Sequence, residues 1–161
     1  MPHSIIPFLQ DLDLEYKTFS HPPVLTCEEA ERLCPPMPGM KNKNLFLRDK
    51  KKNSYLVCMA QNKEIPLKDL ASIIGAKSLS FGSTDRLDEF LKVKPGSVGL
   101  LALINDIQAQ IRVFIDQDLM DEEWFQSHPG VNDSTLCIGT ADISKLLDKT
   151  GHSWQNVDLS Q

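Results

Sequence analysis

Apolar and polar positions alternate at two different periods along this chain, and the switches between them mark its elements. Over residues 4–14 the apolar side chains Ile5, Ile6, Phe8, Leu9, Leu12 and Leu14 fall at helical spacing. Residues 16–20 alternate instead, as a half-buried strand does. Thr26, followed by Glu28, Glu29 and Glu31, predicts a capped helix start. The segment Cys34-Pro35-Pro36-Met37-Pro38-Gly39 must be a loop, because its prolines cannot donate within a helix.

Two apolar runs, residues 45–47 and 55–60, read as a hairpin closed around Lys50-Lys51-Lys52-Asn53. Pro66 suits the first turn of a helix over residues 67–74, and Gly75 suits its end. Residues 78–81 form a short strand. Ser83 or Thr84 caps an amphipathic helix reaching Leu91, with Leu87, Phe90 and Leu91 inward. Residues 98–104 are almost continuously apolar, the pattern of a strand buried on both faces. A turn at Asn105-Asp106 leads to a strand over residues 110–115. The acidic stretch 116–123 is expected to be a surface connection. A strand over residues 136–138 precedes a last helix over residues 143–149, opened by Thr140-Ala141-Asp142 and stopped by Gly151. Mixed short strands and helices predict one α/β (α+β) domain over residues 1–161, with a mixed, mostly antiparallel sheet flanked by helices.

Composition narrows the class. With 161 residues, 41% hydrophobic and 24% charged, the chain suits a single soluble domain. The absence of a membrane-length apolar run and of a basic leader makes the cytoplasm the expected location. Cys27, Cys34, Cys58 and Cys137 have no metal-ligand spacing and read as reduced, mostly buried thiols, with Cys34 the most exposed. No metal or cofactor is expected. A net charge of −5 speaks against a DNA-binding protein. Yet Lys41, Lys43, Arg48, Lys50, Lys51 and Lys52 crowd into one short stretch. They are either a solvated turn or a local footprint for nucleic-acid phosphates.

Three motifs carry the candidate chemistry. Lys43-Asn44 precedes the strand Leu45-Phe46-Leu47, so an ammonium and an amide stand at a strand mouth. Alone, such a lysine also fits a strand-edge guard. Gly96-Ser97-Val98-Gly99 lets backbone N–H groups approach a ligand, or is an ordinary turn. His128-Pro129-Gly130-Val131-Asn132-Asp133-Ser134-Thr135 places a histidine that shuttles protons, or caps a loop.

In this order and spacing the motifs resemble the YbaK/ProX family of aminoacyl-tRNA editing domains, closest to the free-standing prolyl-tRNA editing proteins that remove mischarged alanine. The likeness runs from near Phe8, through His21-Pro22-Pro23, to Leu146–His152. The family pattern His-Pro-x-x-Asn-x-x-Thr fits His128, Pro129, Asn132 and Thr135. The family's Gly-x-x-x-Pro loop is altered, because Leu100 stands where proline is expected.

The resemblance implies an aminoacyl-tRNA deacylase, acting on Ala-tRNA for proline without an attached synthetase. It implies a catalytic group of Lys43, Gly96, Ser97, Val98 and Gly99, with the backbone N–H groups of the loop receiving the oxyanion. Asn44, Leu100, His128, Asn132 and Thr135 would bind the aminoacyl group, while His21 is structural or lines the entrance. Lys41, Arg48 and Lys50 would meet the tRNA. The expected partner is the acceptor end of tRNA for proline, with prolyl-tRNA synthetase or an elongation factor as further partners. A cysteine, serine or threonine deacylase and a non-catalytic aminoacyl-tRNA-binding regulator are the alternatives.

Overall fold

The computed structural model describes residues 11, 13–14, 16–22, 37–94, 98–127 and 134–159. Most of the helix expected over 4–14, the helix start at Thr26, and residues Cys27, Cys34, Gly96, Ser97, His128 and Asn132 lie outside the described residues.

Two sheets face each other. The larger has the order β4-β2-β3-β5-β8, with β2 (Asn42–Arg48), β3 (Ser54–Ala60), β4 (Ser80–Phe81), β5 (Ile111–Asp116) and β8 (Trp154–Val157). Its β4/β2 and β2/β3 pairs are antiparallel, whereas β3/β5 and β5/β8 are parallel. The smaller sheet is fully antiparallel, in the order β1-β7-β6: β1 (Tyr16–Ser20), β7 (Ser134–Gly139) and β6 (Trp124–Ser127). The expected mixed sheet is present, and a second sheet joins it.

Side-chain alternation along β2 and β3 divides the apolar residues between two cores. Phe46, Leu56 and Cys58 face the smaller sheet, packing with Phe125, Leu136 and Ile138. Leu47, Tyr55, Val57 and Met59 face the other way, onto Leu70 of α1 (Leu67–Ile74). Both faces of β3 are covered, so every one of its residues is buried.

Local signals set most boundaries. Gly75 ends α1 in the left-handed region at φ 76°, and Pro66 stands one position before its first residue. Ser83 caps α2 (Thr84–Leu91) by accepting from the Arg86 N–H. The short α3 (Gln117–Met120) and α4 (Ile143–Thr150) follow, α4 opening from a 3₁₀ turn at Thr140–Asp142 and ending at Gly151. The hairpin turn after β2 folds onto the buried Asp49 carboxylate. It accepts from the Lys51 and Asn53 N–H groups, the Asn53 amide and the Tyr55 hydroxyl, all at 2.8–2.9 Å. Burial raises the pKa of Asp49, but these four donors outweigh that and hold it at about 2.

Two expectations are corrected. The apolar run 98–104 is not a strand: Leu100–Asn105 is a 3₁₀ helix, begun by the Ala102 N–H to Gly99 C=O bond. Both edges of β3 are already filled by β2 and β5, so another strand has no partner there. Burial on all sides produces the same unbroken apolar pattern in either conformation. The acidic stretch is not merely a surface connection either. Asp116 is fully buried, receiving the Ala60 and Asp118 N–H groups and the Lys63 ammonium. Leu119 is buried beside it.

The described cysteines, Cys58 and Cys137, are buried thiols. Burial pushes Cys58 far above its usual range and Cys137 up to about 11, which keeps both protonated and inert. Among the described residues no helix is long and apolar enough to cross a membrane.

Candidate active site at the mouth of the central hairpin

Strand β2 opens with Asn42-Lys43-Asn44, three polar residues half-buried at the end of an otherwise apolar strand. Alternation sends them to different faces. Asn42 and Asn44 lie on the Phe46 side, between the sheets. The Asn42 amide donates to the Gln126 carbonyl at 2.9 Å, and the Asn44 amide donates to Asn42 Oδ1 at 3.3 Å. Asn44 Oδ1 is buried and meets no donor among the described residues. A buried carbonyl oxygen without a donor is costly, and such a group is a natural place for a ligand N–H or O–H.

Lys43 lies on the opposite side, in register with Met59. It opens into a 480 Å³ cleft lined with Leu45, Met59, Glu64, Ile65, Pro66, Leu67 and Phe81. Among the described residues no carboxylate lies within ion-pair distance of its ammonium.

The loop that precedes β2 is fixed to the smaller sheet. Gln126 Nε2 donates to the Pro38 and Gly39 carbonyls at 3.2 Å, and Met40 bridges to Phe125. Gly39 has φ 94°, and a Cβ there would sit 2.5 Å from the Trp124 carbonyl oxygen. Only glycine permits this close approach.

Gly99 and Leu100 are buried on the Asn44 side of the larger sheet, and the Leu101 N–H reaches Ser127 Oγ at 3.4 Å. Val98, just before them, is half-buried against the same core. Ser127 and the Gly99–Leu101 segment thus meet beside this core. Thr135 is also buried, but Leu136 and Ile138 take the core side of β7, which leaves Thr135 on the opposite face. There its hydroxyl meets His21 Nε2 at 2.9 Å. The Pro22 carbonyl accepts from His21 Nδ1, so in the neutral ring Nε2 accepts the Thr135 proton. His21 therefore ties β1 to β7.

The basic residues divide. Lys41 and Lys43 stand at the hairpin mouth. Arg48 ends β2 about 17 Å further along the strand, and Lys50 is exposed in the turn beyond it. Asn42, Gln126 and Ser127 stand in this region without having been expected there. Nothing local marks Asn42 or Gln126, since their roles come from contacts 84 to 88 residues apart. Ser127 carried one signal, its place immediately before His128-Pro129.

A polar strand mouth, a loop closing on it and a cleft behind it define a ligand-binding α+β domain. Residues 21–146 match the family model described as the aminoacyl-tRNA editing domain, and the chain belongs to that family. It is accordingly an aminoacyl-tRNA deacylase, an ester hydrolase. It is 34% identical over 157 residues to the prolyl-tRNA editing protein ProX of Acetoanaerobium sticklandii, covering 97% of this chain and 96% of that protein. It is 33% identical over 148 residues to prolyl-tRNA synthetase associated domain-containing protein 1 of Danio rerio, covering 91% and 80%. Two solved structures share the fold. A candidate trans-editing enzyme for prolyl tRNA synthetase aligns with TM-score 0.67 at 15% identity over 99% of both chains. A hypothetical protein aligns with TM-score 0.73 at 18% identity over 96% and 99%.

Proposed function

We propose that this protein edits mischarged tRNA for proline in trans, hydrolysing the ester between alanine and the terminal ribose. The end-to-end similarity to a prolyl-tRNA editing protein carries this reading. A synthetase pocket built for proline cannot easily exclude the smaller alanine, so a second site must remove the error.

Water adds to the ester carbonyl, the oxyanion collapses, and the ribose oxygen leaves with a proton. A ribose hydroxyl of the tRNA helps to activate that water. Backbone N–H groups of Gly96, Ser97, Val98 and Gly99 receive the oxyanion. Lys43 holds the terminal phosphate or the reacting carbonyl across the strand mouth. Asn44, with its unmet carbonyl oxygen, orients the aminoacyl group together with His128 and Asn132. Leu100 bounds that region, whereas Thr135, on the other face of β7, acts only through its bond to His21. Lys41 contacts the acceptor end nearby, and Arg48 and Lys50 meet a more distant part of the tRNA.

A second reading has one observation in its favour. Leu100 replaces the family's proline and lacks its fixed φ, so the loop beside Gly99 can shape a different pocket. This reading makes cysteine, serine or threonine the amino acid removed.

A panel of Ala-, Cys-, Ser-, Thr- and Pro-tRNA, with wild-type protein and Lys43→Ala, tests both readings. The expected result is rapid loss of alanine, sparing of proline, and a rate about 10²–10³ lower in the variant. Preferential loss of another amino acid selects the second reading. Binding of charged tRNA with every ester left intact overturns both.

A further inference from the structure

The cleft behind Lys43 contains a feature that ester hydrolysis does not require. Phe81 is 61% exposed, and its ring forms one wall. Its position is imposed by the backbone. Ser80 and Phe81 pair with Arg48 and Leu47, and the Gly82 N–H bonds to the Phe46 carbonyl at 2.9 Å. A Cβ on Gly82 would lie 2.5 Å from the Phe46 ring, so the chain passes there too closely to admit one. With Gly82 pressed against one face of the sheet, the Phe81 side chain must project from the other.

On that other face Leu47, Leu45 and Lys43 follow one another along β2. Phe81 stands beside Leu47, so its backbone lies about 13 Å along the strand from that of Lys43. Leu67 and Pro66 supply apolar surface, and the exposed Glu64 supplies an acceptor. An aromatic platform at one end and a single ammonium at the other match a nucleotide, whose base and 5′-phosphate lie on opposite sides of its ribose.

Resting on the hydrolase reading above, we propose that this cleft holds the 3′-terminal adenosine of the tRNA. Its adenine stacks on Phe81 and its phosphate meets the Lys43 ammonium. Glu64 accepts from the exocyclic amine. The ribose then lies between them, over Leu45, and the ester reaches past the edge of β2 that β4 leaves uncovered toward the Asn44 side. Phe81 is thus a substrate-binding residue that selects the terminal nucleotide, acting on KM rather than on the chemical step.

The test uses the whole protein and two probes. Adenosine 5′-monophosphate is titrated while backbone amide resonances are followed by NMR, with ribose 5-phosphate as the base-free control. Shifts at Leu45, Leu67 and Phe81 that require the adenine are expected. In parallel, deacylation kinetics are measured for Phe81→Ala, Phe81→Leu and Phe81→Trp. KM should rise about tenfold in the alanine and leucine variants, return toward wild type with tryptophan, and leave kcat within about twofold. The exposed position means that thermal unfolding should be unchanged in all three.

Unchanged KM in Phe81→Ala, or nucleotide shifts falling elsewhere, overturns the cleft assignment while leaving the hydrolase reading intact. Adenine-dependent shifts at Phe81 in a protein that deacylates no aminoacyl-tRNA remove the hydrolase reading and leave the nucleotide cleft standing.

Discussion

At the closed end of the β2–β3 hairpin, one carboxylate meets four donors. At the open end, less than about 20 Å away along the strand, an amide oxygen is buried with none among the described residues. Both ends are rich in Lys and Asn, and those residues do not separate them. Satisfaction does. The Asp49 cluster is complete without a ligand and holds the turn in place. The Asn42-Lys43-Asn44 mouth leaves one acceptor unmet among the described residues, which agrees with the proposed role of Asn44 in holding substrate.

The sharpest way to break this comparison is to remove the lysine. Lys43→Ala should lower deacylation by about 10²–10³ while leaving the melting temperature within a degree or two, because the ammonium has no carboxylate partner among the described residues. A matching fall in melting temperature would make Lys43 a structural residue.

Asp49→Ala should do the reverse. It leaves the Tyr55 hydroxyl and turn N–H groups without their acceptor, at a cost of about 2–3 kcal/mol by urea denaturation, with kcat preserved. The same site gives a pH dependence. A carboxylate held at about 2, against an ordinary 3.8, stabilises the fold in full above pH 3.8. That contribution fades as pH falls toward 2. The urea midpoints of wild type and Asp49→Asn should therefore converge over that window, and parallel curves would contradict the assignment.

Gly39→Ala, beside the mouth, should cost about 1–2 kcal/mol by displacing the loop from the Trp124 carbonyl. It should also raise KM, because that loop leads directly into β2. The smallest effect on stability is expected at Asn44→Ala. Loss of a buried carbonyl without a donor should leave the unfolding free energy unchanged or raised by up to about 1 kcal/mol, while kcat/KM falls. Destabilisation beyond that of losing the amide bond to Asn42 would mean that its oxygen does have a partner in the fold.

Where structure is set by neighbours in the chain, the amino-acid sequence was sufficient. Strand β1, the hairpin, α1, α2 and α4 were legible because Ser83, Gly75, Gly151 and the Lys50–Asn53 turn act within a few residues of themselves. The three motifs were legible too, as was the family they imply. Tertiary structure decided the rest. The run at Leu100–Asn105 is almost wholly apolar, so its period vanished, and only the packed fold shows it to be a 3₁₀ helix rather than a strand. Strand β8 was invisible because Trp154–Val157 is a half-exposed edge without alternation. Asp116 looked like a surface acid until Ala60 and Lys63 were brought to it. That Lys43 and Asn44 serve opposite faces follows from a strand register, and that Thr135 answers to His21 follows from a contact 114 residues apart. Caps and turns are short-range and written locally, whereas faces, edges and unmet partners exist only once distant segments are packed together.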